Sequence, residues 1–269
     1  MTVSATVSAI ADALRTAERT RVPIPPPTEA RSGLTIDEAY AVQTANIALR
    51  IERGEVAVGH KVGLTSEAMQ RQLGVDQPDF GVITDAMVIA DGRSLAVDEL
   101  IAPRLEAEFA FLIGDPPPRD PTIDQVRASI SAVATALEVI DSRVVDWRIT
   151  LADTIADNAS SARIVVGPWV PATPELLEAV IGTELALTRD GEIVAAGTGA
   201  AVLGDPVVAL HWLARAIGGY GQQLAAGDVV LAGAVAASVA LEPGHDWAAA
   251  ADALGSVRMT STTTAEETA

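Results

Sequence analysis

From Val56 onward the chain is written as short apolar runs interrupted by Gly, Pro and Asp. That punctuation fits strands joined by tight turns. The candidate strands are Val56 to Val62, Met87 to Ile89, Glu106 to Ile113, Ala134 to Ile140, Ala162 to Val166, Glu184 to Thr188, Glu192 to Ala196, Val229 to Leu231, Ser238 to Leu241 and Ser256 to Met259. Two helices fall between them: one from Ile123 to about Ala132, opened by Thr122 with Gln125 at capping-box spacing, and one from Pro206 to about Tyr220. The pattern predicts an α+β protein with a largely β core, not regular βαβ units.

Ahead of this core, residues 4–19 read as an amphipathic helix with Ile10 and Leu14 on one side, stopped by Pro23, Pro25, Pro26 and Pro27. A second helix starts near Thr35, where Thr35 and Glu38 form a capping box, and runs to about Arg53. The expected organisation is a helical cap over residues 1–55, a β-rich catalytic core over 56–260 and a disordered polar tail over 261–269.

Charge and residue usage remove several classes of function. A net charge of -18, with scattered arginines, repels phosphate backbones, so no nucleic-acid partner is expected. The absence of cysteine excludes disulfides, zinc–thiolate sites, iron–sulfur clusters and thiol nucleophiles. His60, His211 and His245 are too few and too dispersed for a histidine metal centre, so any metal should be held by oxygen. The richest apolar stretch, Leu231 to Leu241, is broken by Gly233 and Ser238 and falls short of the roughly 18 to 20 residues of a membrane helix. Asp12, Arg15, Glu18 and Arg19 do not resemble a secretory signal, so no membrane association and a cytoplasmic location are expected.

Of the 18 basic residues, all but Lys61 are arginine. An ammonium can pass a proton where a guanidinium stays charged, so a lysine kept in an arginine-biased chain marks a position that uses that chemistry. Glu106 and Glu108 share one face of a strand, because residues two apart project to the same side about 6 to 7 Å apart, and both can converge on one ion. Glu138 lies in the apolar run Ala136-Leu-Glu-Val-Ile-Asp141 and requires a partner: Arg143, Arg148 or a metal. Three carboxylates and waters would suit Mg²⁺ or Mn²⁺. Asp76 and Asp79 fall in a turn-rich loop, and Asp157, Asn158, Ser160 and Ser161 precede the strand at Ala162. No Gly-x-Ser-x-Gly elbow surrounds these serines, which argues against a serine hydrolase.

Taken in order, Gly59-His-Lys-Val-Gly-Leu-Thr65, Gly74-Val-Asp-Gln-Pro-Asp-Phe-Gly81, Pro103-Arg-Leu-Glu-Ala-Glu108, Ala136-Leu-Glu-Val-Ile-Asp141 and Asp153-Thr-Ile-Ala-Asp-Asn-Ala-Ser160 resemble the 2-keto-4-pentenoate hydratases, in the hydratase/decarboxylase family of the fumarylacetoacetate hydrolase superfamily. The resemblance extends through Gly204-Asp-Pro206, Gly227-Asp-Val-Val-Leu231 and Gly255-Ser-Val257. It implies a mixed β-roll core behind an N-terminal helical cap, and Mg²⁺ or Mn²⁺ on Glu106, Glu108 and Glu138. It further implies Lys61 and Asp79 as proton-transfer residues and Ser160 as a polar contact. The implied reaction adds water to 2-hydroxypenta-2,4-dienoate, a 2-oxo acid tautomer, to give 4-hydroxy-2-oxopentanoate in aromatic catabolism. A homo-oligomer and a downstream aldolase partner are also implied. The rivals are 4-oxalocrotonate decarboxylation, hydrolysis of an acylpyruvate using His60, which should instead face away from Lys61's side of its strand, and a non-catalytic subunit of a pathway complex. The sequence departs from the family pattern at Gly233-Ala-Val235, His245, Ala248 to Ala251 and Ala253, which bears on substrate size.

Overall fold

The computed structural model describes residues 4–66, 70–71 and 75–264. Helix α1 (Ala5–Thr20) is opened by Ser4, whose hydroxyl accepts the Val7 N–H at 3.2 Å, and it buries Val7, Ile10, Ala11, Leu14 and Ala17. After α2 (Pro27–Ala30), helix α3 (Ile36–Glu52) carries the expected capping box: Thr35 Oγ1 accepts the Glu38 N–H and the Glu38 carboxylate accepts the Thr35 N–H. Both termini thus satisfy backbone donors that helix geometry leaves free.

The strands form two mixed sheets. The larger one has the order β2 (Asp79–Thr84), β1 (Ala57–Gly63), β11 (Val229–Ala234), β5 (Arg104–Ile113), β6 (Ile130–Ile140), β7 (Ser161–Val166) and β3 (Val88–Ile89). Short strands β12 (Val239–Ala240) and β8 (Val170–Pro171) add to β5 and β6. The pairs β1–β11 and β3–β7 are parallel and the rest antiparallel. The smaller sheet runs β10 (Glu192–Thr198), β9 (Glu184–Arg189), β13 (His245–Ala251), β14 (Gly255–Thr262) and β4 (Ser94–Ala96). This is the α+β architecture that the sequence pattern predicts, with the mixed β core and N-terminal helices that the family resemblance implies, completed by α4 (Ile123–Ser129), α5 (Leu151–Ala156), α6 (Pro174–Gly182) and α7 (Pro206–Gly219).

Alternation along the large sheet separates two apolar populations. Leu105, Phe109, Phe111, Val133, Leu137 and Val165 point into the main core with Trp247, Val257 and Met259 of the smaller sheet. The opposite face carries a small-residue cluster of Ala110, Ala134, Ala136, Ile164 and Leu231, with Ile83 and Met87. Because side chains two apart share a face, Glu106 and Glu108 lie in line with Ala110, and Glu138 lies in line with Ala136 and Ala134.

Several expectations are corrected. Asp79 is the first residue of β2 and is buried, not part of a turn-rich loop; pairing with β1 outweighs the turn signals of Pro78 and Gly81. The helix after Thr122 ends at Ser129, because the alternating run from Ile130 pairs with β5 along its length. The C-terminal residues expected to be disordered begin inside β14: Ser261 is buried and its hydroxyl accepts the Trp247 indole N–H at 3.0 Å. Thr264 is hydrogen-bonded to Asp98, and only 265–269 of that tail lie outside the described residues. The short helix expected after Thr65 or Ser66 runs into residues outside the described ones. Strands β2, β4, β8 and β13 and helices α5 and α6 were not legible as periodic segments. No helix among the described residues is long and apolar enough to cross a membrane.

Candidate metal centre

Glu106 and Glu138 are directly opposite each other in the β5–β6 register, and Glu108 is one pleat away on the same face. Their carboxylates come together so that one ligand oxygen from each lies within 4.8 Å of the others, all three side chains being buried. Lys61 reaches the same point from β1, two strands away across β11. Its ammonium stands 3.3 Å from Glu138 Oε2 and donates a hydrogen bond to the Ala159 carbonyl at 3.0 Å. The partner of Glu138 is therefore Lys61. The two arginines considered from sequence are engaged elsewhere, Arg143 with Asp157 and Arg148 with Glu29.

Asp79 approaches from β2, where it pairs with Gly63. A methyl group at Gly63 would lie 2.2 Å from Asp79 Oδ1 and 3.4 Å from Lys61 Nζ, so the missing side chain is what lets the two groups share this space. Ser160 is buried close by in sequence to Ala159, with Oγ unpartnered. His60 faces the other way, its ring edge-on to Phe80 at 6.3 Å and its Nε2 3.4 Å from Gln222. Asp76 is exposed, whereas Asp157 is committed to Arg143. Sequence reasoning missed Thr154, whose buried side chain favours the ionised form of Asp79, and Gln43, which donates from α3 to the carbonyls of Phe80 and Ile155 at 2.8 and 3.2 Å. A polar residue on the buried stripe of α3 was the available signal for Gln43.

Electrostatics at this point are unbalanced. Burial, and next the charge of Glu138, push Glu106 up to about 7, and the same causes raise Glu108 well above the usual carboxylate range. Burial also raises Asp79, against the pull of Lys61. Burial alone would lower Lys61, but Glu138, Asp79, Glu106 and Glu108 together outweigh it and hold the ammonium charged. One cation thus faces four acidic groups. Among the described residues, Glu108 Oε1, both Glu138 oxygens, Asp79 Oδ1 and Ser160 Oγ are buried with no hydrogen-bond partner, Glu138 Oε2 having only its ion pair with Lys61. Orphaned carboxylate oxygens this close together are costly unless a cation joins them. An all-oxygen donor set fits a hard divalent ion and does not fit zinc.

The remaining oxygen of Glu108 is fixed by the Gly233 backbone, whose N–H donates to Oε2 at 2.8 Å. Gly233 adopts φ +115°, and a Cβ there would lie 2.2 Å from Thr65 Oγ1. Gly233→Ala should therefore cost about 1–3 kcal/mol in strain and displacement, read as a lower urea midpoint, together with weaker divalent-ion binding. An unchanged midpoint and affinity would contradict this account of Glu108.

Comparison with known proteins agrees with the geometry. The family described as fumarylacetoacetate (FAA) hydrolase C-terminal matches residues 51–261. The chain is 44% identical over 264 residues to a 2-keto-4-pentenoate hydratase of Burkholderia vietnamiensis, covering 95% of this chain and 97% of that protein. It is 40% identical over 229 residues to a 4-oxalocrotonate decarboxylase of a Pseudomonas species, covering 85% and 88%. Among solved structures, the 4-oxalocrotonate decarboxylase from Pseudomonas putida G7, complexed with magnesium and adipate, superposes with a TM-score of 0.88 at 33% identity, covering 95% of this chain and 97% of that one. The chain belongs to the fumarylacetoacetate hydrolase C-terminal family, in the group that holds the 2-keto-4-pentenoate hydratases and the 4-oxalocrotonate decarboxylases.

Proposed function

We propose that this protein is a metal-dependent hydratase that converts 2-hydroxypenta-2,4-dienoate, or a close analogue, into 4-hydroxy-2-oxopentanoate in the catabolism of aromatic compounds. The observation that carries the proposal is the buried carboxylate triad facing Lys61 and Asp79. Glu106, Glu108 and Glu138 would hold Mg²⁺ or Mn²⁺, which when bound supplies Lewis acidity toward the carboxylate and 2-oxygen of a 2-oxo acid.

The chain's own groups account for the proton traffic. Ketonisation of the dienol needs a proton removed from the 2-hydroxyl and one delivered to C5; hydration then places the water oxygen on C4 and a proton on C3. Lys61 is a charged donor on a rigid strand, oriented by the Ala159 carbonyl. Asp79 is held above the usual carboxylate range by burial, which makes its protonated form accessible nearer neutrality. Ser160 Oγ, buried and unpartnered, is available to a substrate oxygen. The burial of the whole set, with Glu138 fully covered and Ser160 at 3% exposure, limits competing water.

Decarboxylation of 4-oxalocrotonate is the second reading, favoured by the decarboxylase relatives at 40% and 33% identity. A cytoplasmic homo-oligomer that passes its product to an aldolase completes the proposal, supported by the family resemblance alone. The two activities separate in one experiment. Freshly generated 2-hydroxypenta-2,4-dienoate should lose its ultraviolet absorbance in the presence of enzyme and Mg²⁺, and chelator should abolish that loss. Release of carbon dioxide from 4-oxalocrotonate without turnover of the dienoate would reverse the assignment.

A further inference from the structure

The Lys61 ammonium is aimed by a backbone carbonyl that lies in an unusual place. Asn158, Ala159 and Ser160 are three consecutive non-glycine residues in the left-handed region, with φ of 55°, 51° and 56°. Side chains with a Cβ disfavour this region, Asn less than Ala or Ser, so the turn persists only where its surroundings over-determine it. The ties are visible. Asn158 Oδ1 accepts the Val82 N–H at 2.8 Å and Asn158 Nδ2 donates to the Val82 carbonyl at 2.9 Å, a two-point clamp on the backbone of β2. Strand β2 is the outermost strand of the large sheet beyond β1, so these groups have no neighbouring strand to pair with. Gly81 admits the turn: a Cβ there would lie 2.5 Å from the Asn158 carbonyl oxygen. At the far end, the Ser160 carbonyl accepts the Asp141 N–H at 2.8 Å.

We propose that Asn158 is a positioning residue: by docking its carboxamide on Val82 it holds a left-handed turn whose Ala159 carbonyl fixes the Lys61 ammonium and whose next residue presents Ser160. The carboxamide of Asn158 bonds to Val82 and the ammonium of Lys61 to Ala159, so Asn158 acts through the turn. The consequence for turnover rests on the proton-transfer role proposed for Lys61, whereas the consequence for the ammonium does not.

Because Lys61 is the only lysine in the chain, labelling with ¹⁵N-lysine gives a single side-chain ammonium signal in the intact protein. In the wild type the hydrogen bond to Ala159 should make that signal shifted and slow to exchange with water. Asn158→Gly keeps the left-handed conformation accessible but removes both bonds to Val82. It should return the signal toward that of free lysine and speed its exchange at least tenfold. It should also lower kcat about 100-fold, as expected when a reacting group is misplaced by about 1 Å, with KM and the Mn²⁺ dissociation constant within about threefold of wild type. Asn158→Asp, isosteric and still able to accept the Val82 N–H, should shift the same signal in the same direction by a smaller amount. A wild-type-like ammonium signal in folded Asn158→Gly, or in Asn158→Asp should the glycine variant not fold, would overturn the proposal. So would a kcat loss matched by an equal loss of Mn²⁺ affinity. If the wild type has no hydratase activity, the functional reading fails while the ammonium measurement still decides this one.

Discussion

Glu106→Gln should give a protein that is inactive yet more stable than the wild type when divalent ions are withheld at pH 8. Glu106 ionises at about 7 in the folded chain against 4.5 for the ordinary side chain, because burial and the charge of Glu138 oppose the carboxylate. Between those values the folded state binds more protons than the unfolded one, so metal-free stability falls as pH rises through this window and levels off above it. The full cost is of order 3 kcal/mol. Glutamine removes the charge, while burial of its amide returns part of the cost. A net gain of about 1–2 kcal/mol corresponds to roughly 2–6 °C in Tm for a chain of this size. The divalent ion should stabilise the wild type more at pH 8 than at pH 5.5, where it must first displace a proton, and should barely affect the variant. Thermal denaturation with chelator and with Mn²⁺ at both pH values checks all three statements. A lower Tm for the metal-free variant, or an undiminished response to Mn²⁺, would defeat the assignment of Glu106 as a ligand.

Lys61→Arg should lower kcat by about 10³-fold while leaving Mn²⁺ affinity within an order of magnitude. The substitution retains positive charge beside Glu138, so the electrostatic balance of the carboxylates changes little. What is lost is a group that can release a proton, since a guanidinium stays charged in proteins. The fit is also poorer: the ammonium occupies a buried point 3.0 Å from the Ala159 carbonyl and 3.3 Å from Glu138, and a planar fork cannot satisfy both from there. Solvent deuterium incorporation into the substrate carbons, measured beside net turnover, reads the proton step directly. A Lys61→Arg enzyme that exchanges deuterium at the wild-type rate would remove lysine from the chemistry.

The triad was readable from sequence for two separate reasons. Glu106 and Glu108 stand on the polar side of a strand whose next same-side residue is Ala110, and Glu138 sits in an apolar run where an unpaired carboxylate is too costly. Lys61 was conspicuous as the single lysine. Asp79 was placed in the wrong element because Pro78 and Gly81 signal a turn locally, while the β1–β2 register that makes it a strand residue is set by contacts distant in sequence. Asn158, Thr154 and Gln43 act through backbone atoms or through another side chain, and their letters alone look like ordinary turn and helix residues. The strand order was illegible for a related reason: nothing in Val229-Val-Leu-Ala-Gly-Ala234 announces that it inserts between β1 and β5.

That insertion governs when the protein can become itself during synthesis. In the sheet the lysine-bearing strand and the first glutamate-bearing strand are both paired to β11, so a nascent chain shorter than residue 234 lacks the strand that hydrogen-bonds to each of them. The last residues of β14 likewise pair with Ser94–Ala96, nearly the full length of the core away. Closure over such separations is slow, and until it occurs the unpaired edges of β1 and β5 are open to other nascent chains. The enzyme should therefore fold after release from the ribosome, and its yield should depend on expression temperature and chaperone supply more steeply than its final stability would indicate.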